Sequence, residues 1–192
     1  ESSKLSVIYN PSEVNSNVRN LKNNRKLNIL MMGQFSKNKA HHIFLKSVRY
    51  FIDTNPDLAK NCKFIILGVS EKNKKFRMSF FKTKEVKFLN LFYSIFENLK
   101  LKDHVNIYNY TQNPEKFIAK ADILVRPSIS ADPWGRDIIE AMSNSTAIIA
   151  TGKYDKFVRD NINGFLVEPN NPKLIAEAMA KIIPNKVEVF SL

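Results

Sequence analysis

The chain has 192 residues, 44% hydrophobic and 25% charged, with 30 Lys and Arg against 18 Asp and Glu and a net charge of +12. This length and composition predict one globular domain, residues 1–192, rather than two. The positive charge favours anionic partners, namely nucleotides, phospholipid headgroups or nucleic acid. Only seven basic residues are arginines. Because base-edge readout relies on Arg, nucleic acid is a weak expectation.

The cysteine content and the hydropathy pattern bear on the cellular compartment. Cys62 is the single cysteine, which excludes an internal disulfide and fits a reducing environment. No apolar run approaches the roughly 18 residues that span a bilayer. The sequence therefore predicts a cytoplasmic protein, and a peripheral contact with the inner face of the cytoplasmic membrane is left open.

Short apolar runs alternate with longer stretches of helical periodicity. Near-continuous Ile, Leu and Val runs are typical of parallel strands that are covered on both faces. The predicted strands are Leu5–Tyr9, Leu27–Met32, Lys63–Leu67, Val105–Tyr108, Ile123–Val125, Ala147–Ala150 and Gly164–Val167. Apolar residues between Phe44 and Ile52 recur at helical spacing, and Asn171 and Pro172 predict the start of the last helix. This alternation predicts an α/β fold with a mostly parallel sheet and helices on both faces.

One segment, Glu71–Leu101, is both basic and aromatic, and its second half has the pattern of an amphipathic helix. Two interpretations are open. The segment either touches an anionic membrane surface or packs its aromatic side chains on the sheet and keeps its lysines in water. The second interpretation is favoured.

The candidate site is the stretch from Arg126 to Met142. A polar loop there ends at Gly135, where a helix is predicted to begin, with Asp132 before it and Glu140 five residues after it. Helix starts hold phosphates through unpaired N–H groups, and five residues correspond to about 7.5 Å along the axis. A diphosphate at the helix start leaves a ribose within reach of Glu140. The loop Gly33–Lys39 also joins a strand to a helix and offers Lys39 for phosphate.

Spacing alone leaves a plainer interpretation open. On the helical wheel Ile138, Ile139 and Met142 share one face, and Arg136, Asp137 and Glu140 share the other. Glu140 is then an ordinary solvated glutamate near a helix start, where the helix dipole favours it. Lys39, which has Lys37 close by, is open to the same interpretation.

Several motifs, in order along most of the chain, resemble those of glycosyltransferase family 4, the retaining enzymes of GT-B fold. The resemblance rests on Pro127-Ser128, Asp132-Pro-Trp-Gly135, Glu140-Ala-Met142, the loop Met32-Gly33 to Lys39, Phe64-Ile-Ile-Leu-Gly68, and Asn163-Gly-Phe-Leu-Val-Glu-Pro169. It implies the Rossmann-like, C-terminal half of such an enzyme, the domain that binds a nucleotide-diphosphate sugar.

The resemblance also implies a role for each matching residue. Lys39, with Gly33 and Gln34, holds the donor diphosphate, and Asp132 binds hydroxyls of the transferred sugar; these two charged side chains are the implied catalytic groups. Glu140 binds the ribose diol, and Tyr110 lines the base pocket. The backbone at the helix start contacts phosphate and sugar, and its residues are Pro133, Trp134, Gly135 and Arg136.

The implied activity is retaining hexosyl transfer for a surface glycan, lipopolysaccharide or capsule. A UDP- or GDP-linked sugar is the substrate, and the resemblance implies no cofactor or metal, which agrees with the absence of an Asp-x-Asp pair from the sequence. The acceptor, a glycan or a lipid-linked sugar, binds the N-terminal domain, which lies outside this chain. The domain alone is therefore expected to bind nucleotide but to transfer little sugar.

The chain departs from the family pattern at positions that affect donor identity. Gln34 replaces the usual phosphate-binding Arg, Ala40 replaces a Gly, and Asp132 is one methylene shorter than the usual Glu. Two rivals stay open. One is a GT-B sugar-nucleotide epimerase, which does not need Asp132 and Glu140 at this spacing. The other is a non-catalytic module that binds nucleic acid or membrane by charge.

Overall fold

The computed structural model describes residues 25–69, 84–133 and 135–191. The predicted strand Leu5–Tyr9, the first part of the basic and aromatic segment, and the predicted site residue Trp134 lie outside these ranges. The fold and the site below are built from the described residues.

The described part of the chain contains one six-stranded parallel sheet. Its strands are β1 Leu27–Met32, β2 Cys62–Leu67, β3 Val105–Tyr108, β4 Ile123–Arg126, β5 Ala147–Thr151 and β6 Gly164–Val167. They lie in the order β3-β2-β1-β4-β5-β6, and every neighbouring pair is parallel. The six predicted strands in these ranges are confirmed, with ends that shift by at most one residue.

Helices connect the strands, and two of their starts agree with the sequence signals. The helices are α1 His41–Thr54, α2 Pro56–Lys60, α3 Lys84–Asn98, α4 Glu115–Ile118, α5 Arg136–Ser143 and α6 Pro172–Ser191. Asn171 caps α6, because its Oδ1 accepts a hydrogen bond from the Leu174 N–H at 3.2 Å. Helix α5 begins directly after Gly135, where the sequence predicts it.

Both faces of the sheet are covered, which is why the strands read as continuous apolar runs. In β1, Ile29 and Met31 join the core that contains Phe44 and Phe51 of α1. Leu30, between them, joins the opposite core with Ile138 of α5. Successive residues of a strand point to opposite faces, so the middle of β1 is covered on both sides, while Asn28 and Met32 are partly exposed.

Helix α3 supports the packing interpretation of the basic and aromatic segment as far as the structure describes it. Leu89, Phe92 and Tyr93 are buried, while Lys84 and Lys87 are exposed. The aromatic face of residues 84–98 therefore packs against the domain and its lysines stay in water.

An ion pair with a buried carboxylate lies at the edge of the sheet where the parallel strands begin. Asp122, 1% exposed, accepts hydrogen bonds from both terminal nitrogens of Arg25, at 2.6 and 2.7 Å. The same carboxylate accepts a bond from the Asn28 N–H at 2.8 Å. Asp122 thus ties the residue before β4 to the start of β1, at the opposite end from the candidate site.

The strand order fixes where a ligand can bind. Successive strands run outward from β1 through β2 to β3, and then from β4 through β5 to β6 on the other side. The loops that follow β1 and β4 therefore diverge, and a crevice opens between them at the carboxyl ends of the strands. Ligands of open parallel sheets bind in this crevice.

Candidate functional site

A cleft of about 330 Å³ opens at the carboxyl ends of β1 and β2. It is lined by Met32, Gly33, Gln34, Leu67, Gly68, Tyr110, Thr111, Gln112, Pro114, Glu115, Arg136 and Glu140. The lining combines apolar side chains with amide, hydroxyl and charged groups, as small-molecule sites do. The volume is at the lower end of the range for such sites.

The floor of the cleft depends on two glycines after neighbouring strands. Gly68 has a φ of +110°, and a Cβ built on it lies 2.2 Å from the carbonyl oxygen of Gly33. A side chain there clashes with backbone, so only glycine lets these two loops approach. Gly33 and Gly68 both line the cleft at this close approach.

The loop that follows β1 brings a cation to this floor. The stem of Lys39 runs beside Gly33, with its Cδ 3.6 Å from the Cβ position of that glycine. Helix α1 then begins after Ala40 without a side-chain cap; its first residue, His41, is fully buried, and the next, His42, is partly exposed. Ala40 has a left-handed φ of 57°, a conformation that favours glycine. This explains in physical terms why the family has a glycine at this position.

His41, which the sequence analysis did not single out, supports this loop from below. Its ring is fully buried, 5.0 Å from the ring of Phe35 and 6.4 Å from that of Phe92. Burial lowers the pKa of His41 from 6.5 to about 4, against an opposing effect of the Gly33 and Ser36 backbones. The imidazole is therefore neutral at pH 7 and behaves as a packed aromatic ring.

Glu140 borders the cleft. Its side chain is 34% exposed, and its Oε1 lies 3.4 Å from Nε of Arg136, one turn earlier in α5. Arg136 is itself mostly exposed, so this ion pair is weak and leaves the carboxylate available to a ligand. The helical wheel assigned Glu140 to the polar face, and the structure shows that this face forms one wall of the cleft.

Arg126, the last residue of β4, organises the loop before α5. Its side chain is 8% exposed, and Nη2 donates to the Asp132 carboxylate at 2.9 Å while Nε donates to the Asp132 carbonyl at 3.0 Å. Nη1 contacts both carboxylate oxygens of Asp137 at 2.6 Å. Asp137 is thus an ion-pair partner rather than the solvated residue that the helical wheel implies.

A second set of bonds joins this loop to the loop after β1. The Ile129 N–H donates to the Asn38 carbonyl at 2.9 Å, and the Ser130 N–H donates to Asn38 Oδ1 at 3.1 Å. Asn38 Nδ2 in turn donates to Ser130 Oγ at 3.2 Å. The two loops predicted to hold the donor therefore form one connected unit.

The structure brings half of the ten predicted site residues together at the cleft. Five of them line the cleft: Gly33, Gln34, Tyr110, Arg136 and Glu140. Lys39 lies beside Gly33, while Asp132 and Pro133 lie in the loop held by Arg126 and do not line the cleft.

The sequence analysis assigned no role to several residues that shape the site. Arg126 and Asn38 hold its loops, and Gln112 and Glu115 line the cleft. The only sequence signal for Arg126 is a charged residue that ends the otherwise apolar strand Ile123–Arg126. Within residues 25–69, 84–133 and 135–191, no group of three His, Cys, Asp or Glu side chains is placed to hold a metal ion.

The family model for "Glycosyl transferases group 1" matches residues 14–189. The chain belongs to this family. The expectation of a glycosyltransferase from the motifs is thereby confirmed, and sugar transfer is the chemistry of the family's members. A search of curated proteins finds no match.

Solved glycosyltransferase structures share the fold. Anabaena Alr3699/HepE, in complex with UDP, is 18% identical over 87% of this chain and 44% of its own, with a TM-score of 0.65. Staphylococcus aureus TarM is 18% identical over 94% of this chain and 33% of its own, with a TM-score of 0.69. The C-terminal domain of LpcC from Francisella tularensis, a group 1 glycosyl transferase, is 22% identical over 85% of this chain and 78% of that chain, with a TM-score of 0.65.

These likenesses confirm the Rossmann-like, parallel α/β fold of the GT-B glycosyltransferases. The chain spans less than half the length of HepE and of TarM. No helix in the part of the chain that the structure describes has the length and apolar character needed to cross a membrane.

Proposed function

We propose that this chain is the C-terminal, donor-binding domain of a retaining glycosyltransferase that uses a nucleotide-diphosphate sugar. The observation that carries the proposal is the cleft at the carboxyl ends of β1 and β2, which is lined by Gly33, Tyr110 and Glu140. HepE and the pneumococcal transferase GtfA, which share the fold, were solved with UDP. The LpcC structure, most of which this chain covers, is itself a C-terminal domain.

In this proposal each part of the donor has its own contacts. The N–H groups at the starts of α1 and α5, together with Lys39, hold the diphosphate. Glu140 accepts hydrogen bonds from the ribose diol, and the base lies towards Tyr110. Asp132 binds hydroxyls of the transferred sugar. Stabilisation of the departing diphosphate by Lys39 and the helix starts is the main catalytic contribution of this domain.

The wider setting belongs to the same proposal. The sugar is a hexose, carried on UDP or GDP and transferred with retention of configuration into a surface glycan. The acceptor, a glycan or a lipid-linked sugar, binds a partner domain on the N-terminal side of this one, so this domain alone transfers little sugar. The single cysteine, Cys62, is buried and free, which supports a cytoplasmic setting.

Glu140→Ala is expected to weaken UDP binding by roughly 10- to 100-fold, because hydrogen bonds to a charged group contribute about 1.5–3 kcal/mol. Isothermal titration calorimetry measures the effect. Glu177→Ala is the matched control, since Glu177 also forms an i,i+4 ion pair on an exposed helix face, with Lys173. That variant is expected to bind UDP like the wild type.

Inorganic pyrophosphate distinguishes a ribose contact from a general change of charge. Glu140→Ala leaves pyrophosphate affinity unchanged or raises it, because a negative charge near the phosphates is removed. Equal UDP affinity in wild type and Glu140→Ala would return Glu140 to the role of a solvated helix glutamate.

Lys39→Ala is expected to weaken UDP binding by roughly 10- to 100-fold, because one charge-assisted phosphate contact is lost. Uridine, which carries no phosphate, is expected to bind both proteins alike in the same titration. Lys37→Ala is the control, since Lys37 is an exposed cation of the same loop. An equal loss for Lys37→Ala would show that net charge, and not a built phosphate site, attracts the nucleotide.

A further inference from the structure

The buried guanidinium of Arg126 lies against the loop that precedes α5. Its three nitrogens make four contacts with two carboxylates and one carbonyl, on both sides of Gly135. Asp132 lies in the loop before that glycine, and Asp137 in the first turn of α5. A single planar group therefore sets the loop and the helix start relative to each other.

Gly135 makes this arrangement possible. A Cβ at this position lies 2.8 Å from Nη1 of Arg126 and 2.7 Å from Oδ1 of Asp137. A larger residue displaces the ion pair from the helix start. The ion pairs of Arg126 therefore need the space that a side chain at position 135 would fill.

We propose that Arg126 is a positioning residue that fixes Asp132 and the first turn of α5 for the transferred sugar. The sugar part of this inference rests on the proposed function. The carboxylate of Asp132 is 47% exposed, so it is able to contact a ligand while one of its oxygens is held by Arg126. The orientation of that carboxylate is set before any sugar arrives, which lowers the ordering cost of binding.

The cluster of Arg126, Asp132 and Asp137 also has an electrostatic role. Asp132 and Asp137 place two negative charges next to the helix start that is proposed to hold a diphosphate. Like charges repel most strongly where water is excluded. The guanidinium offsets this repulsion, so loss of Arg126 is expected both to free the loop and to make the site less favourable for an anion.

The chain offers a matched control for a purely structural role. Arg25 pairs with the buried carboxylate of Asp122 at the opposite end of the sheet. Arg25→Met and Arg126→Met each leave a buried or half-buried carboxylate without its partner, so both variants lose stability. Only Arg126→Met is expected to change the donor site. Arg126→Lys is an intermediate variant, because an ammonium group cannot reach both carboxylates and the carbonyl together.

The test combines amide hydrogen exchange in the ligand-free protein with titration of UDP and UDP-glucose. In Arg126→Met, exchange at Ala131 and Ile138, relative to Ile149 in β5, is expected to rise by about tenfold or more. UDP-glucose affinity is expected to fall by about tenfold or more, and UDP affinity by less. Arg126→Lys is expected to lie between the wild type and Arg126→Met in both measurements. In Arg25→Met, the relative exchange and the ratio of UDP-glucose to UDP affinity are each expected to change by less than about twofold.

Each outcome decides one of the two proposals. Unchanged relative exchange in Arg126→Met overturns the positioning role, and so does an unchanged UDP-glucose to UDP ratio in a wild type that binds both. If exchange rises as expected but the wild type binds neither UDP nor UDP-glucose, positioning of the loop is supported. The proposed uridine donor site is then the part that fails.

Discussion

Asp122→Ala is expected to lower the free energy of unfolding by about 1.5–3 kcal/mol, because it removes a buried carboxylate that accepts charge-assisted hydrogen bonds from Arg25. Asp122 is 1% exposed, while Arg25 is 29% exposed. The Asn28 N–H also loses its acceptor, and an unpaired, partly buried donor adds to the loss. Urea denaturation at pH 7 measures the change through the shift of the midpoint.

The control for Asp122→Ala is a substitution in a solvent-exposed ion pair. Asp57 pairs with Lys60 at 2.8 Å, but both side chains are largely exposed, and such pairs contribute little. Asp57→Ala is therefore expected to leave the midpoint almost unchanged. A loss of less than about 1 kcal/mol in Asp122→Ala would contradict the structural role assigned to the pair.

Lowering the pH from 7 to 4 is expected to cost about 3 kcal/mol of stability through His41 alone. Burial lowers the pKa of this imidazole from 6.5 to about 4 in the folded chain. The unfolded chain therefore binds the proton more tightly than the folded chain. The contribution of His41 is complete above pH 6.5, falls as the pH drops through this window, and is lost below pH 4.

Urea denaturation of wild type and His41→Phe between pH 4 and pH 7 isolates this effect. Phe cannot titrate and fits among the rings of Phe35 and Phe92, so the variant is expected to lose much less stability on acidification. His104→Gln, at an exposed position, serves as the control and should follow the wild-type profile. Parallel pH profiles for wild type and His41→Phe would show that His41 is not held neutral by burial.

The strands and the site residues were predictable for different reasons. The strands are buried on both faces, so runs such as Cys62–Leu67 contain almost no polar residue and their bounds are clear. The site was predictable only through the family motifs. Spacing alone placed Glu140 on a polar helix face, and it could not show that this face forms a wall of the cleft.

The contacts of Arg126 were beyond the reach of sequence analysis. A helical wheel orders the residues of α5 around the helix axis, but it contains no information about which neighbouring residues each face contacts. Asp137 therefore looked solvated, although it contacts an arginine eleven residues earlier in the chain. His41 was missed for a similar reason, since burial of a polar ring depends on Phe92 from a distant helix.

Titration of the wild-type protein with UDP, followed by residue-resolved NMR of the backbone amides, tests the donor-site proposal most directly. Saturable shifts are expected at Gly33, Gly68 and the first turns of α5, with none at the Arg25–Asp122 end of the sheet. GDP and ADP, titrated in the same way, identify the base. Failure of all three nucleotides to shift the cleft amides, combined with binding of RNA or anionic vesicles, would contradict the proposal and favour a charge-driven binding module.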